Sequence, residues 1–284
     1  MKGKLYKYLP EKTADEILEK GIENALEIRL RAGRKICIRY PEKTEETTET
    51  ATVGLLNDIL QKLCGNSLYA YADDMSKGFV TAGGWRVGIG GVYRDGIKTV
   101  SSLDIRISRQ IKGCADRLIP YIKNGDRIYD TLIASPPVCG KTTLLRDISR
   151  LLSDSGINIS LIDERFELAA VGMDGQACFD VGKNTDIISG CRKSEGAVMA
   201  LRSLAPQVII LDEIGTKDDM RAIFDAGSGG CGVICSAHCY DMDDLKKRRF
   251  ISPLLGLFGR IVLLRGRGKI FAVYNEKGDD IWQG

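Results

Sequence analysis

A phosphate-binding loop constrains the fold of this 284-residue chain more than any other sequence feature. An apolar run at 132–134 precedes the loop, and an amphipathic segment at 144–152 follows it. In this strand–loop–helix context, backbone amides and a helix N-terminus bind phosphate, so we predict an α/β domain that binds ATP. The candidate nucleotide-binding residues are Ser135, Pro136, Pro137, Val138, Cys139, Gly140, Lys141, Thr142 and Thr143.

Three residues of the loop have distinct expected roles. Gly140 lets the backbone approach the phosphates, and Lys141 reaches the β- and γ-phosphates. Thr142 supplies a hydroxyl ligand for Mg²⁺. The first position of the motif, usually glycine, is Ser135 here, which leaves open whether the loop binds ATP with the usual affinity.

Acidic residues follow two further apolar runs of the predicted sheet. Asp212 and Glu213 follow one run, and Glu164 follows another. Open α/β folds bind ligands where their parallel strands end, so these side chains are expected near the phosphates. Asp212 is expected to hold Mg²⁺ through water, and Glu213 to activate the attacking water. Glu164 is a second candidate for positioning water or metal, and the alternative is that it only pairs with Arg165.

The single histidine, His238, also ends an apolar run, so it is expected at the same edge of the sheet. There it could contact the γ-phosphate and report its loss. A metal site built from His238, Cys231, Cys235 and Cys239 is an alternative. The spacing matches no zinc motif, however, and residues 232–237 are typical of a buried strand in which cysteine acts as a small apolar residue.

The hydrophobic pattern changes along the chain and predicts two domains. Residues 1–108 contain alternating strand segments and short helices, which indicates an α+β domain. Residues 109–126 are expected to form a linker or helix. From 127 to 284, short runs rich in β-branched residues alternate with helix-length segments, which is the pattern of a mainly parallel sheet with helices on both faces.

Local signals give more detailed expectations for the first domain. Thr13 and Glu16 have the spacing of a capping box at the start of a short helix. Alternating apolar residues on both sides of Gly33 predict a hairpin, and a further turn is expected at Asp95. The polar segment 45–50 is expected to be a loop.

Charge and composition exclude some classes of protein. With 41 basic and 38 acidic residues, the net charge of +3 does not indicate a surface dominated by nucleic-acid binding. The N-terminus lacks the apolar region of a signal peptide, and no run reaches the roughly 18 apolar residues of a membrane span. Nine scattered cysteines favour reduced thiols. A cytoplasmic protein without direct membrane insertion is expected.

Over nearly its whole length the chain resembles the stage III sporulation protein AA family. The phosphate loop, the two acidic segments and His238, in this order, also resemble the RecA-like ATPases of type II and type IV secretion and of pilus motors. The passages that carry the family resemblance are LEIRLRAG at 26–33, GWRVG at 84–88, SSLDIRI at 101–107, KGCAD at 112–116, IDER at 162–165, SEG at 194–196, ALRS at 200–203 and LDEIG at 211–215.

The resemblance implies a RecA-like P-loop ATPase core with a smaller N-terminal α+β domain. It implies ATP hydrolysis with Mg²⁺, in which Lys141, Glu213, Glu164 and His238 are the catalytic candidates. It further implies a homo-hexamer in the mother-cell cytoplasm of an endospore-forming bacterium, docked on membrane-embedded channel proteins of the same operon. An N-terminal arginine would act across the subunit interface, and the candidates are Arg29, Arg31, Arg86, Arg94, Arg106 and Arg109.

Two other functions remain open at this stage. The arginine-bearing strands could make the chain a nucleic-acid-associated P-loop ATPase, although the near-neutral charge and the scarcity of stacking aromatic residues argue against it. The chain could also be a nucleotide-binding ring scaffold with little turnover, which only Ser135 favours.

Overall fold

The computed structural model describes residues 2–94, 96–172, 175–266 and 268–284. The chain divides into two compact units, one of Met1–Ser108 with Gly172–Cys178 and one of Arg109–Val171 with Phe179–Gly284. Each unit has its own main sheet and its own apolar core. The turn expected at Asp95 falls on a residue outside the described ranges.

The N-terminal unit is built on an antiparallel sheet. Its strand order is β3-β2-β1-β6-β5-β4, and the hairpin expected around Gly33 is confirmed, with φ of +75° at that glycine. Alternate strand residues such as Ile28, Leu30 and Ile105 are buried in one core with side chains of α3. The elements are α1 (Lys2–Tyr8), α2 (Glu11–Glu19), β1 (Glu27–Arg31), β2 (Lys35–Arg39), β3 (Thr44–Thr50), α3 (Val53–Leu63), α4 (Ala72–Ser76), β4 (Phe79–Ala82), β5 (Trp85–Tyr93) and β6 (Ile97–Arg106).

Two expectations for this unit are wrong, and two hydrogen bonds between α2 and β3 explain both. The segment 45–50 is not a loop but lies in the edge strand β3, which pairs with β2. Helix α2 begins before Thr13, so Thr13 and Glu16 do not form a capping box. Instead, the Thr13 hydroxyl donates to Glu49, and the Glu16 carboxylate accepts the Thr48 N–H at 2.8 Å. The polar helix residues therefore stabilise an edge strand that has little apolar surface of its own.

The second unit contains a seven-stranded sheet with the order β11-β10-β12-β13-β9-β14-β15. All neighbouring pairs are parallel except β14–β15. Helix α6 packs on one face, and α7 and α8 pack on the other, as the apolar runs predicted. The elements are α5 (Ile119–Ile122), β7 (Lys123–Asn124), β8 (Arg127–Ile128), β9 (Thr131–Ser135), α6 (Lys141–Asp154), β10 (Ile159–Asp163), β11 (Thr185–Ser189), α7 (Lys193–Ser203), β12 (Val208–Leu211), α8 (Lys217–Ser228), β13 (Gly232–His238), α9 (Met242–Lys247), β14 (Arg260–Arg265) and β15 (Lys269–Tyr274).

The register of the parallel strands brings the predicted site residues to one edge of the sheet. Leu211 lies beside Ile162 on one side and beside Cys235 on the other, and His238 lies beside Ser135. The phosphate loop, both acidic segments and the histidine therefore leave the sheet at the same end. Within the described ranges, no helix has the length and apolar character needed to cross a bilayer.

Candidate functional site

The phosphate loop connects β9 to α6 through left-handed backbone. Val138 has φ of +62° and Gly140 has φ of +89°, and α6 begins at the next residue, Lys141. A Cβ atom at Gly140 would also lie 3.3 Å from the backbone nitrogen of Gly268. Glycine is therefore required at position 140 both for its backbone conformation and for a close approach.

The ammonium group of Lys141 lies inside the loop. Its Nζ is 3.2 Å from Ser135 Oγ, 3.3 Å from the carbonyl oxygens of Ser135 and Pro136, and 3.0 Å from His238 Nδ1. Burial lowers the pKa of Lys141. Because an ammonium can only donate, His238 Nδ1 accepts, and this network assigns the ring proton to Nε2. The unusual Ser135 thus supplies two of the acceptors that hold the lysine.

The side chains of Thr142 and Asp212 are in direct contact. The Thr142 hydroxyl donates to Asp212 Oδ2 at 2.7 Å, and the Ser236 hydroxyl donates to Asp212 Oδ1. Burial raises the pKa of Asp212 although both hydroxyls oppose the shift. No ion pair to this carboxylate is found among the described residues. Mg²⁺ binds oxygen ligands such as hydroxyls and carboxylates. A divalent cation would also offset the buried charge of Asp212. Thr142 and Asp212 therefore fit Mg²⁺.

Glu213 is held in a strained backbone conformation. Its φ is +48°, which is uncommon for a residue other than glycine, and its N–H donates to Ser236 Oγ at 2.9 Å. Its carboxylate accepts from His238 Nε2 at 3.0 Å and from Arg165 Nη1 at 2.5 Å. Burial alone would raise the pKa of Glu213, but Arg165, His238 and Lys141 outweigh it, and the net shift is downward. Glu213 is therefore ionised at neutral pH, and three cationic or hydrogen-bonding side chains stabilise its charge.

The carboxylate of Asp163, at the end of β10, stabilises the backbone of its own loop. Oδ1 accepts the N–H groups of Glu167 and Leu168, and Oδ2 accepts those of Ala169 and Ala170, all at 2.7 to 3.0 Å. Asp163 is buried. Its role in this arrangement is to fix the chain that follows Glu164 rather than to face the phosphate loop.

Glu164 has a different partner from the one considered in the sequence. It forms an ion pair with Lys193, whereas Arg165 pairs with Glu213. Glu164, Glu213 and His238 all line one cavity of about 640 Å³ at the edge of the sheet. The carboxylates of Glu164 and Glu213 thus line the same cavity, but each forms an ion pair with a different basic residue.

Sequence reasoning missed Ser236, Arg165 and Lys193 as members of this site. A signal for Ser236 existed, because the parallel register places the residue after Cys235 next to Asp212. The partners of Arg165 and Lys193 depend on how the loops fold after each strand, which no local pattern indicates.

The cysteines near His238 are part of the apolar core. Cys231, Cys235 and Cys239 are buried among the side chains that pack on α7 and α8, and their thiols are free. Burial raises the pKa of Cys231 and Cys239 to about 11. Across the described part of the chain, no group of three or more histidine, cysteine, aspartate or glutamate side chains could hold a metal ion.

Comparison with known families agrees with the sequence resemblance. The family model described as "Sporulation stage III, protein AA" matches residues 4–281. The chain belongs to this family. Among curated relatives, stage III sporulation protein AA of Bacillus subtilis is 34% identical over 295 residues, which cover 93% of this chain and 95% of that protein.

Solved structures with a similar fold include an ATPase and a pilus retraction motor. The ATPase DotB of Legionella pneumophila has a TM-score of 0.62 at 16% identity, over 90% of this chain and 76% of that one. The pilus retraction motor PilT, solved with bound ADP, has a TM-score of 0.57 at 14% identity, over 88% and 77% of the two chains. At these identities the likeness concerns the fold, and the expected RecA-like core with a smaller N-terminal domain is confirmed.

Proposed function

We propose that this chain binds ATP with Mg²⁺ and hydrolyses it to drive a secretion-like channel complex during endospore formation. The observation that carries the proposal is the direct hydrogen bond from Thr142 of the phosphate loop to Asp212 of the neighbouring acidic segment. A helix N-terminus that binds phosphate and a carboxylate that suits Mg²⁺ are thereby joined in one site.

The nucleotide-binding residues are those of the loop from Ser135 to Thr143. Their backbone amides and Lys141 bind the phosphates of the substrate, and Thr142 with Asp212, through water, holds Mg²⁺. When bound, Mg²⁺ neutralises charge on the phosphates. Glu213 orients the attacking water and accepts its proton, because its carboxylate lines the cavity at the edge of the sheet together with His238.

His238 acts as a sensor of nucleotide through Lys141. In this structure the lysine donates to His238 Nδ1, and His238 Nε2–H donates a hydrogen bond to Glu213. When phosphate oxygens accept hydrogen bonds from Lys141 instead, His238 loses its hydrogen bond at Nδ1 and keeps the one from Nε2 to Glu213. The occupancy of the loop is thus coupled to the position of the base, and Glu164 with Lys193 adds a further carboxylate to the same cavity.

The assembly and its location are also proposals. The resemblance to secretion ATPases supports a homo-hexamer in which an arginine of the N-terminal unit reaches ATP of the next subunit. Membership in the sporulation family supports a place in the mother-cell cytoplasm, on membrane-embedded channel proteins of the same operon. Mass measurement in solution, with and without ATP, tests the oligomer directly.

The ATPase assay uses the purified full chain with Mg²⁺ and three variants. Lys141→Ala should lose turnover and weaken ATP binding, whereas Glu213→Gln should bind ATP and hydrolyse it at least about a hundredfold more slowly. Lys183→Ala, at an exposed lysine outside the site, is the matched control and should behave as wild type.

Three results would redirect the proposal. Wild-type chain that binds no ATP would refute it, and ATP binding without turnover would favour the ring scaffold. Strong stimulation by single-stranded DNA or RNA that falls steeply with salt would favour a nucleic-acid-associated ATPase.

A further inference from the structure

The β14–β15 hairpin lies against the phosphate loop. Strand β14 pairs with β9 on the side opposite to β13, with Leu263 beside Ala134. After β14, the N–H of Gly268 donates to the carbonyl oxygen of Cys139 at 2.9 Å. The hairpin therefore contacts the loop that is proposed to bind phosphate, although no motif in the sequence pointed to it.

The arrangement of the site sets the direction in which a nucleotide lies. The groups proposed to act at the γ-phosphate, Asp212, Glu213 and His238, all belong to β12 and β13 and the residues that follow them, on one side of the loop. A nucleoside triphosphate is an extended molecule. If its γ-phosphate faces these groups, its ribose and base leave the loop on the opposite side, where β14 and β15 are.

A stacked pair of side chains is exposed on this hairpin. The guanidinium carbon of Arg265, the last residue of β14, lies 3.7 Å from the centroid of the Phe271 ring. Phe271 is 47% exposed, and Arg265 is also exposed. A planar guanidinium on an aromatic ring offers flat surface for a further ring, and nucleobases stack on both groups.

We propose that Arg265 and Phe271 form the platform for the base of the bound nucleotide. This inference rests on the proposed ATP binding and adds the half of the site that the phosphate-loop motif does not describe. Because stacking uses the flat face that every base has, the platform favours nucleotides over inorganic polyphosphate more than it distinguishes adenine from guanine.

The test compares ATP with inorganic tripolyphosphate, which has the phosphates without a base. In the full chain with Mg²⁺, Phe271→Ala and Phe271→Leu should weaken ATP binding about tenfold and leave tripolyphosphate binding unchanged. Phe271→Tyr should keep the wild-type affinity for ATP. Phe224→Ala is the matched control, because Phe224 is 49% exposed on α8 and away from the loop, and it should change neither affinity.

The outcomes separate this inference from the function on which it rests. If wild type binds ATP and both Phe271 variants bind it within twofold as well, the platform is refuted and the ATP site stands. If the variants lose tripolyphosphate together with ATP, the hairpin only supports the loop, which also refutes the platform. If wild type binds neither probe, the proposed function fails first.

Discussion

The two acidic segments of the second unit look alike in sequence and differ in structure. Asp163-Glu164 and Asp212-Glu213 each end a strand, and the two strands are neighbours in the sheet. Asp163 nevertheless accepts four backbone N–H groups of its own loop, whereas Asp212 accepts hydroxyl groups from two other elements. The same pattern therefore produces a loop anchor in one case and a candidate metal ligand in the other.

The second residues of the two segments differ in the same way. Glu164 is bound to one lysine, while Glu213 is turned by its left-handed backbone toward His238 and Arg165. An acidic strand end therefore indicates the edge of the sheet, whereas the loop that follows the strand determines what the carboxylates contact.

The largest expected effect separates the two glutamates in catalysis. Glu213→Gln should reduce the ATPase turnover number by about a hundredfold or more, because the proposed base is lost. Glu164→Gln should reduce the turnover number by less than about tenfold, because Glu164 forms an ion pair with Lys193 and is not the proposed proton acceptor. Steady-state ATPase assays on both variants measure this ratio. A larger loss in Glu164→Gln would exchange the two roles.

The next effect separates the two aspartates in folding. Asp163→Asn should lower the free energy of unfolding by about 2–3 kcal/mol, because an amide cannot accept all four N–H groups. Asp212→Asn should not lower it at neutral pH, since burial already disfavours the charge of Asp212. Urea unfolding of the nucleotide-free chain gives both values. Equal destabilisation by the two changes would contradict the comparison.

A smaller effect tests the serine that joins Asp212 and Glu213. Ser236→Ala should cost about 1–2 kcal/mol of stability, since it removes a donor to Asp212 and the acceptor of the Glu213 N–H. Ser160→Ala in β10 is the control, because within the described residues the buried Ser160 hydroxyl has no hydrogen-bond partner. Unfolding by urea should show little change or a gain for Ser160→Ala, and a loss equal to that of Ser236→Ala would argue against the assigned contacts.

The smallest effect is a difference in pH dependence. The pKa of Asp212 is higher in the folded chain than in the unfolded chain, where it is about 3.9. Folding stability is therefore lost as the pH rises from the unfolded-state pKa through the folded-state pKa. The lowered pKa of Glu213 means that its contribution is present above about 4.3 and is lost as pH falls through its folded value. Relative to wild type, Asp212→Asn should therefore gain stability with rising pH and Glu213→Gln should lose it. Urea unfolding from pH 3.5 to 8 compares the slopes, and slopes of the same sign would refute the assigned shifts.

The local sequence pattern was sufficient to predict those elements whose structure depends on residues close together in the chain. The strand–loop–helix around Lys141, the apolar runs of the parallel sheet and the hairpin at Gly33 follow from hydrophobic periodicity and glycine geometry. It failed where side chains meet partners distant in sequence. Thr13 and Glu16 have the spacing of a capping box but bind β3, because the edge strand offers them partners that the helix start does not require.

The sequence by itself determined the family, the RecA-like α/β core and the edge of the sheet at which Lys141, Asp212, Glu213 and His238 lie. The family and its RecA-like core follow from the resemblance of the motifs and their order, and the positions of the strand ends follow because side-chain alternation is a local property of the chain. Only the tertiary structure decided the partners of each charge. It places Ser236 between the two acids, brings Arg165 to Glu213 and sets the β14–β15 hairpin beside the phosphate loop. Hydrogen bonds and ion pairs form over a few ångströms between segments far apart in sequence, so their pairing exists only once the sheet has assembled.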